Sequence, residues 1–316
     1  MILLCIFSSD AKDGAAKGMQ LCAAGLIPSL FPFLVAGQLL AGGAGRFRLT
    51  TPLCRLLCLT PAEYACFWLG QIGGYPMGAC LLAEGVNNGT IDRHRAKKLV
   101  PCFVGCGPGF ALSALSKGAG ILVFICCVAA NLLCIKLTKL PPAQTEKSTP
   151  PVADPVDSVQ KGCFAMINIC ANVVIFCTGK QILARLLPLF SPLWAFLEVG
   201  SGVFELTQYA APLPIFGALL GFGGFSVARQ VKMAANGLCG MRRIVVCRAM
   251  AGAAAAGLVW CVQQLLPESV LACSAPAVQI FSPGVNIWCA ASLVLFFVSA
   301  GAALLSPLQE DKTLIK

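Results

Sequence analysis

At 316 residues the chain has room for about two globular domains, but 58% of it is hydrophobic, only 11% is charged, and the mean hydropathy is +0.82. A soluble domain carries roughly 25% charged residues to wet its surface, so this composition excludes a soluble enzyme, a nucleic-acid-binding domain and a disordered chain. The formal charge of +10 follows from basic cytoplasmic loops that set orientation, or from a path that favours anions.

Residues 1–7 are a short apolar stub without a basic flank, too short for a signal peptide. Asp10 to Lys17 is polar and reads as a surface turn. The first long apolar run, 19–44, exceeds the ~20 residues a crossing needs. It contains Pro28-Ser29-Leu30-Phe31-Pro32-Phe33, where the two prolines predict a bend. After the basic residues Arg46, Arg48 and Arg55, a second run covers 61–83 and is broken by Gly73-Gly74-Tyr75-Pro76-Met77-Gly78. Arg93, Arg95, Lys97 and Lys98 follow it. Basic clusters on both flanks predict a re-entrant hairpin with the glycine break at its tip; a plain crossing is the alternative. The region 99–137 carries another break, Gly105-Cys106-Gly107-Pro108-Gly109, ahead of a clean span over 119–135.

Residues 136–161 are polar and hold five prolines, which is linker composition. The second half then repeats the plan: an apolar helix over 163–187, a polar-dotted stretch over 194–208, and a helix broken at Gly221-Phe222-Gly223-Gly224-Phe225-Ser226. A basic loop with Arg229, Lys232, Arg242, Arg243 and Arg248 comes next, then spans over 249–266 and 285–305. The predicted architecture is an all-α, polytopic helical membrane protein with two repeats and broken or re-entrant helices. Its units are a first membrane repeat (1–137), a linker (138–161), a second repeat with a terminal span (162–306) and a polar tail (307–316).

Backbone that leaves helical geometry in lipid exposes unpaired N–H and C=O groups, so it survives only where protein or a wet cavity satisfies it. Matched interruptions in two halves point to a solute site at the breaks; close helix packing through glycine is the competing explanation. The candidate solute-binding residues are Gly73, Gly74, Tyr75 and Pro76, Gly107 and Pro108, and Gly223, Gly224 and Ser226. Glu198 and Glu205, seven apart, share a face with Ser201 if their stretch is one helix. They mark a pathway, or else they are solvated at the interface. Lys117, Lys180 and Arg185 read as snorkelling near helix ends.

The nineteen cysteines lie mostly inside apolar runs, no Cys-x-x-Cys occurs, and His94 is the sole histidine. They read as small packing residues, and no metal site is expected. A phosphate-binding loop of the Gly-x-x-x-x-Gly-Lys-Ser/Thr type and a His-Glu-x-x-His motif are both missing. Neither an enzyme nor a cofactor is expected.

The Pro28–Phe33, Gly73–Ala79 and Gly107-Pro108-Gly109-Phe110 elements, with Leu197-Glu198-Val199 and Gly221–Val227 in the second half, carry a resemblance. Together they resemble the nucleoside-recognition (Gate) domain membrane proteins, and more closely the sporulation integral membrane proteins of the YlbJ type. The resemblance implies two Gate-like repeats in the cell membrane, in the mother-cell or outer forespore membrane. It also implies a role in spore formation, with dipicolinate or a nucleoside-like compound as solute. The expected function is therefore a transporter or gated pore for a small polar, anionic or heteroaromatic solute. A non-transport component of sporulation membrane assembly is the rival. The expected partners are the lipid bilayer and the small-molecule solute, with no nucleic acid; a homo-oligomer is left open.

Overall fold

The computed structural model describes residues 2–44, 52–142 and 154–266. Arg46, Arg48, residues 143–153 of the linker, the expected span over 285–305 and the polar tail lie outside them. Among the described residues every regular element is helical. Three helices are long and apolar enough to cross a membrane, at Gly118–Leu137, Val156–Leu186 and Met241–Gln263. A bent pair near the N-terminus makes a fourth candidate.

Helix α1 (Ile2–Ile6) leads into α2 (Ser8–Leu21). The expected surface turn at Asp10–Lys17 is therefore helical, and the cause is packing. Gly14 and Gly18, one turn apart, lie so close to α10 (Pro155–Leu186) that a Cβ on either would stand 2.8 Å from the Cα of Thr178 or Val174. Small residues at this spacing let helix backbones approach. The polar side chains lie around that contact, with Lys17 donating to Gln181 Oε1 at 3.1 Å.

A π turn, Cys22–Leu26, separates α2 from α3 (Ile27–Ala44). Pro28 offers no N–H to the carbonyl four residues back, and the wider turn absorbs the mismatch through an Ile27 N–H bond to Cys22 O. The flanking segments meet at 56°. The expected bend is present at Pro28, whereas Pro32 sits inside α3 without ending it.

After α4 (Pro52–Leu56), helix α5 (Pro61–Gly73) starts with a reciprocal cap between Thr60 and Glu63. The Gly74-Tyr75-Pro76 break, with a cis Tyr75–Pro76 peptide, leads into α6 (Met77–Asn87). The two helices pack on one another as a hairpin. At their crossing a Cβ on Gly70 would lie 2.7 Å from Gly78 Cα, and one on Gly78 would collide with the Phe103 carbonyl. The open end is tied by Arg95 of α7 (Arg93–Leu99), which reaches Glu63 through Nε and Nη2, both at 2.7 Å. Arg95 also donates to the carbonyls of Cys58 and Pro141. Its bond with Glu63 holds the guanidinium above its ordinary range.

A short 3₁₀ turn, Val100–Cys102, precedes the second break, then α8 (Pro108–Ala114) and α9 (Lys117–Leu137). The second half continues from α10 with α11 (Ser191–Trp194), α12 (Val199–Gln208), α13 (Leu213–Phe222), α14 (Gly224–Ala234) and α15 (Met241–Gln263). The expected basic loop is thus split: Arg229 and Lys232 ride on α14, and Arg242, Arg243 and Arg248 on α15. The α13–α14 break does not fold back as the α5–α6 break does. The halves interlock, with α10 along α2 and α3, α15 along α13 and α9, and α14 against α6. Apolar side chains on α9 (Ile121, Ile125, Leu133), α10 (Phe164, Ile167, Ile175) and α15 (Val246, Met250, Trp260) stay exposed, as lipid-facing stripes would be.

Candidate functional site

The last carbonyls of a helix lack partners within it, and at the end of α13 one is met by the C-cap residue and the next three by side chains from elsewhere. Gly223 N–H donates to Leu219 O at 2.7 Å. The Tyr75 hydroxyl, from the α5–α6 break, donates to Leu220 O at 2.5 Å. Arg248 of α15 donates to Gly221 O and, at 3.3 Å, to Phe222 O. On the other side of the break, the first amides of α14 are met by the segment before α12: Phe225 N–H donates to Phe196 O at 3.1 Å and Ser226 N–H to Leu197 O at 2.9 Å. That approach needs glycine, because Gly223 and Gly224 hold φ of 84° and 81° and a Cβ at Gly224 would sit 3.1 Å from Phe196 O.

The first-half breaks join the same region. Gly107 lies against Gly74, where an added Cβ would stand 3.2 Å from the Gly74 Cα; Pro108 opens α8 immediately beyond. Tyr75 is the link to the second half, because its ring lies within 3.3 Å of where a Gly223 Cβ would be. Arg248 also crosses between halves, donating to Val104 O at 3.0 Å, to Pro101 O at 3.4 Å and to Asn131 Oδ1 at 2.8 Å. Asn131 of α9 in turn donates to Val104 O at 2.8 Å and to Gln71 Oε1 at 3.1 Å. Gln71 stands in the last turn of α5, pressed against Gly105.

Glu198 and Glu205 do not share a helix face, because the stretch over 194–208 is not one helix. Residues 195–198 interrupt it, and Glu198, 1% exposed, is the N-cap of α12. Its carboxylate accepts from Gly200 N at 2.9 Å and Ser201 N at 2.6 Å, so the protein itself supplies the anion that this helix N-terminus favours. Lys180 does not snorkel. It is buried on α10, donating to Ser201 Oγ at 2.6 Å and pairing with Glu205 Oε1 at 2.9 Å. Glu205 is the accessible end of this cluster, 34% exposed against 7% for the lysine. Cys177 lies beside it, its sulfur 3.9 Å from Ser201 Oγ.

The structure thus brings together Gly73–Pro76, Gly107 with Pro108, and Gly223 with Gly224 and Ser226, and gathers Glu198, Ser201 and Glu205 into a second cluster around Lys180. Sequence reasoning missed Gln71, Asn131 and Arg248. A signal for Arg248 exists: it falls on one helical stripe with Ile244, Ala251, Gly252, Ala255 and Val259, the buried face of α15. Among the described residues, the buried polar side-chain atoms without a hydrogen-bond partner are Gln38 Oε1, Gln71 Nε2, Asn172 Oδ1 and Ser226 Oγ. Two of these four, on Gln71 and Ser226, stand at the breaks. The described cysteines are free, and no group of three or more metal-ligating side chains occurs among the described residues.

Over the described residues, the fold and this polar centre define an all-helical protein with membrane-length spans around interrupted helices. Comparison with known proteins adds no relative: no family model, no curated protein and no solved structure matches the chain.

Proposed function

We propose that the chain is a multi-pass transporter or gated pore for a small polar solute, built from two Gate-like repeats whose breaks meet at the solute site. The observation that carries this reading is the pair of orphaned polar atoms, Gln71 Nε2 and Ser226 Oγ, at breaks where the surrounding groups are so fully partnered. A buried polar group without a partner costs about 1–3 kcal/mol, and a solute that bonds to it gives that cost a function. The resemblance supports an anionic or heteroaromatic solute, dipicolinate or nucleoside-like, and a place in the membranes of spore formation. Glu205, reachable and tied to Lys180, serves as the coupling group.

The second reading is a non-transport component of membrane assembly. It is favoured by the satisfied main chain at Gly223, which needs no solute to complete it. Uptake by proteoliposomes containing the full-length protein separates the two. Transport predicts saturable uptake of labelled pyridine-2,6-dicarboxylate or uridine. It also predicts that Ser226→Ala weakens uptake several-fold while raising the melting temperature, because the orphaned hydroxyl is gone. No saturable uptake of either compound defeats the transport reading.

A further inference from the structure

Arg248 is a full positive charge, 1% exposed, enclosed by neutral partners: the carbonyls of Pro101, Val104, Gly221 and Phe222, and the Asn131 amide oxygen. The ion pairs among the described residues are Arg95–Glu63, Lys161–Glu84, Lys161–Asp157 and Lys180–Glu205, so no described carboxylate pairs with Arg248. The carbonyls closing α13 carry the negative end of a helix dipole, equivalent to about half a charge. A net positive charge is left in an interior where fields are weakly screened. Buried membrane arginines are ordinarily paired or face a solute path.

The guanidinium also fixes the direction of its neighbours. Arginine can only donate, so the Asn131 atom facing it is the oxygen. The Asn131 nitrogen therefore faces Val104 O and Gln71, and the Gln71 atom that receives it is its oxygen. Turning the Gln71 amide over would set one N–H group against another. The Gln71 nitrogen is left with hydrogens to donate and no acceptor among the described residues. A chain of three side chains thus runs from a buried cation to a buried, unused donor beside the Gly73–Gly74 break.

We propose that Gln71 Nε2 receives a carboxylate of the solute and that Arg248, a positioning residue acting through Asn131, makes the site selective for anions over neutral solutes of the same shape. This rests on the transport reading and narrows its solute class: the counter-charge that no described carboxylate gives Arg248 arrives with the solute.

Binding of pyridine-2,6-dicarboxylate and of its neutral diamide to the purified full-length protein tests this. The wild-type protein should prefer the diacid by at least tenfold. Gln71→Glu still accepts from Asn131, cannot donate, and supplies the counter-charge itself. It should melt at a higher temperature than wild type without ligand, yet bind the diacid at least tenfold more weakly and lose the preference. Asn131→Asp, which puts the counter-charge directly against Arg248, should also lose the preference, so the result does not depend on one variant folding. A merely structural Gln71 would leave the diacid-to-diamide ratio unmoved. Equal wild-type affinity for the two probes, or a folded Gln71→Glu or Asn131→Asp protein that keeps the preference, overturns this inference. Uptake of uridine with no preference for the diacid would overturn it while leaving transport intact; binding of neither probe with no uptake removes both.

Discussion

Single side chains at the centre of this molecule replace main-chain partners that the helix breaks removed. Tyr75 is the simplest case, since one hydroxyl meets the Leu220 carbonyl. Tyr75→Phe keeps the ring against Gly223 and leaves that carbonyl unpaired, which should cost about 1–3 kcal/mol. Thermal melting in detergent checks it; an unchanged midpoint would mean that the carbonyl finds another donor. Residues of this kind were only partly legible. Tyr75 stood inside a visible Gly/Pro break, but Arg248 sat next to Arg242 and Arg243 and read as one more loop charge. Its burial comes from α9 and α13 closing over it, contacts with residues more than a hundred positions away such as Val104 and Asn131. Lys180 was misread for the same reason, because Glu205 reaches it from a separate helix across the interruption at 195–198.

At the scale of elements, apolar length and glycine–proline clusters located α9, α15 and all the breaks expected over the described residues. What they could not supply was each break's shape. The α5–α6 segment folds back because Gly70 and Gly78 permit contact and Arg95 clamps the open end to Glu63, whereas α13 and α14 diverge from Gly223. Polarity likewise hid α2, whose helical state depends on the glycine face it presents to α10. Two alanine substitutions separate close approach from helix propensity. Gly78→Ala drives a methyl into the Phe103 carbonyl and should destabilise the hairpin by about 1–3 kcal/mol, the usual overpacking range. Gly257→Ala, on the exposed side of α15 with nothing within 4 Å, should stabilise by up to about 1 kcal/mol. Melting curves of the two proteins should move in opposite directions, and equal shifts would contradict the hairpin crossing.

For the whole molecule, the polar linker divides the sequence near its middle, but the packing runs across that division. Helix α10 opens the second half and lies along α2 and α3, the beginning of the first; α15 lies along α9, and Arg248 and Tyr75 bond across the halves in opposite directions. Each half alone would expose the Gly14–Gly18 face or leave the carbonyls of Leu220 and Val104 without the cross-half donors they have in the whole. Unpaired main chain in lipid costs several kcal/mol per group, so the unit of stability should be the pair of halves. Cutting the chain between Pro142 and Asp154 tests this. When both fragments are produced together, a tag on one should recover the other from detergent at equal stoichiometry, and the mixture should melt as one transition. Either fragment produced alone should be degraded or aggregate. Two fragments that purify and melt independently would instead make each half a self-contained domain, and the bonds that Tyr75 and Arg248 make across them would then be incidental to stability.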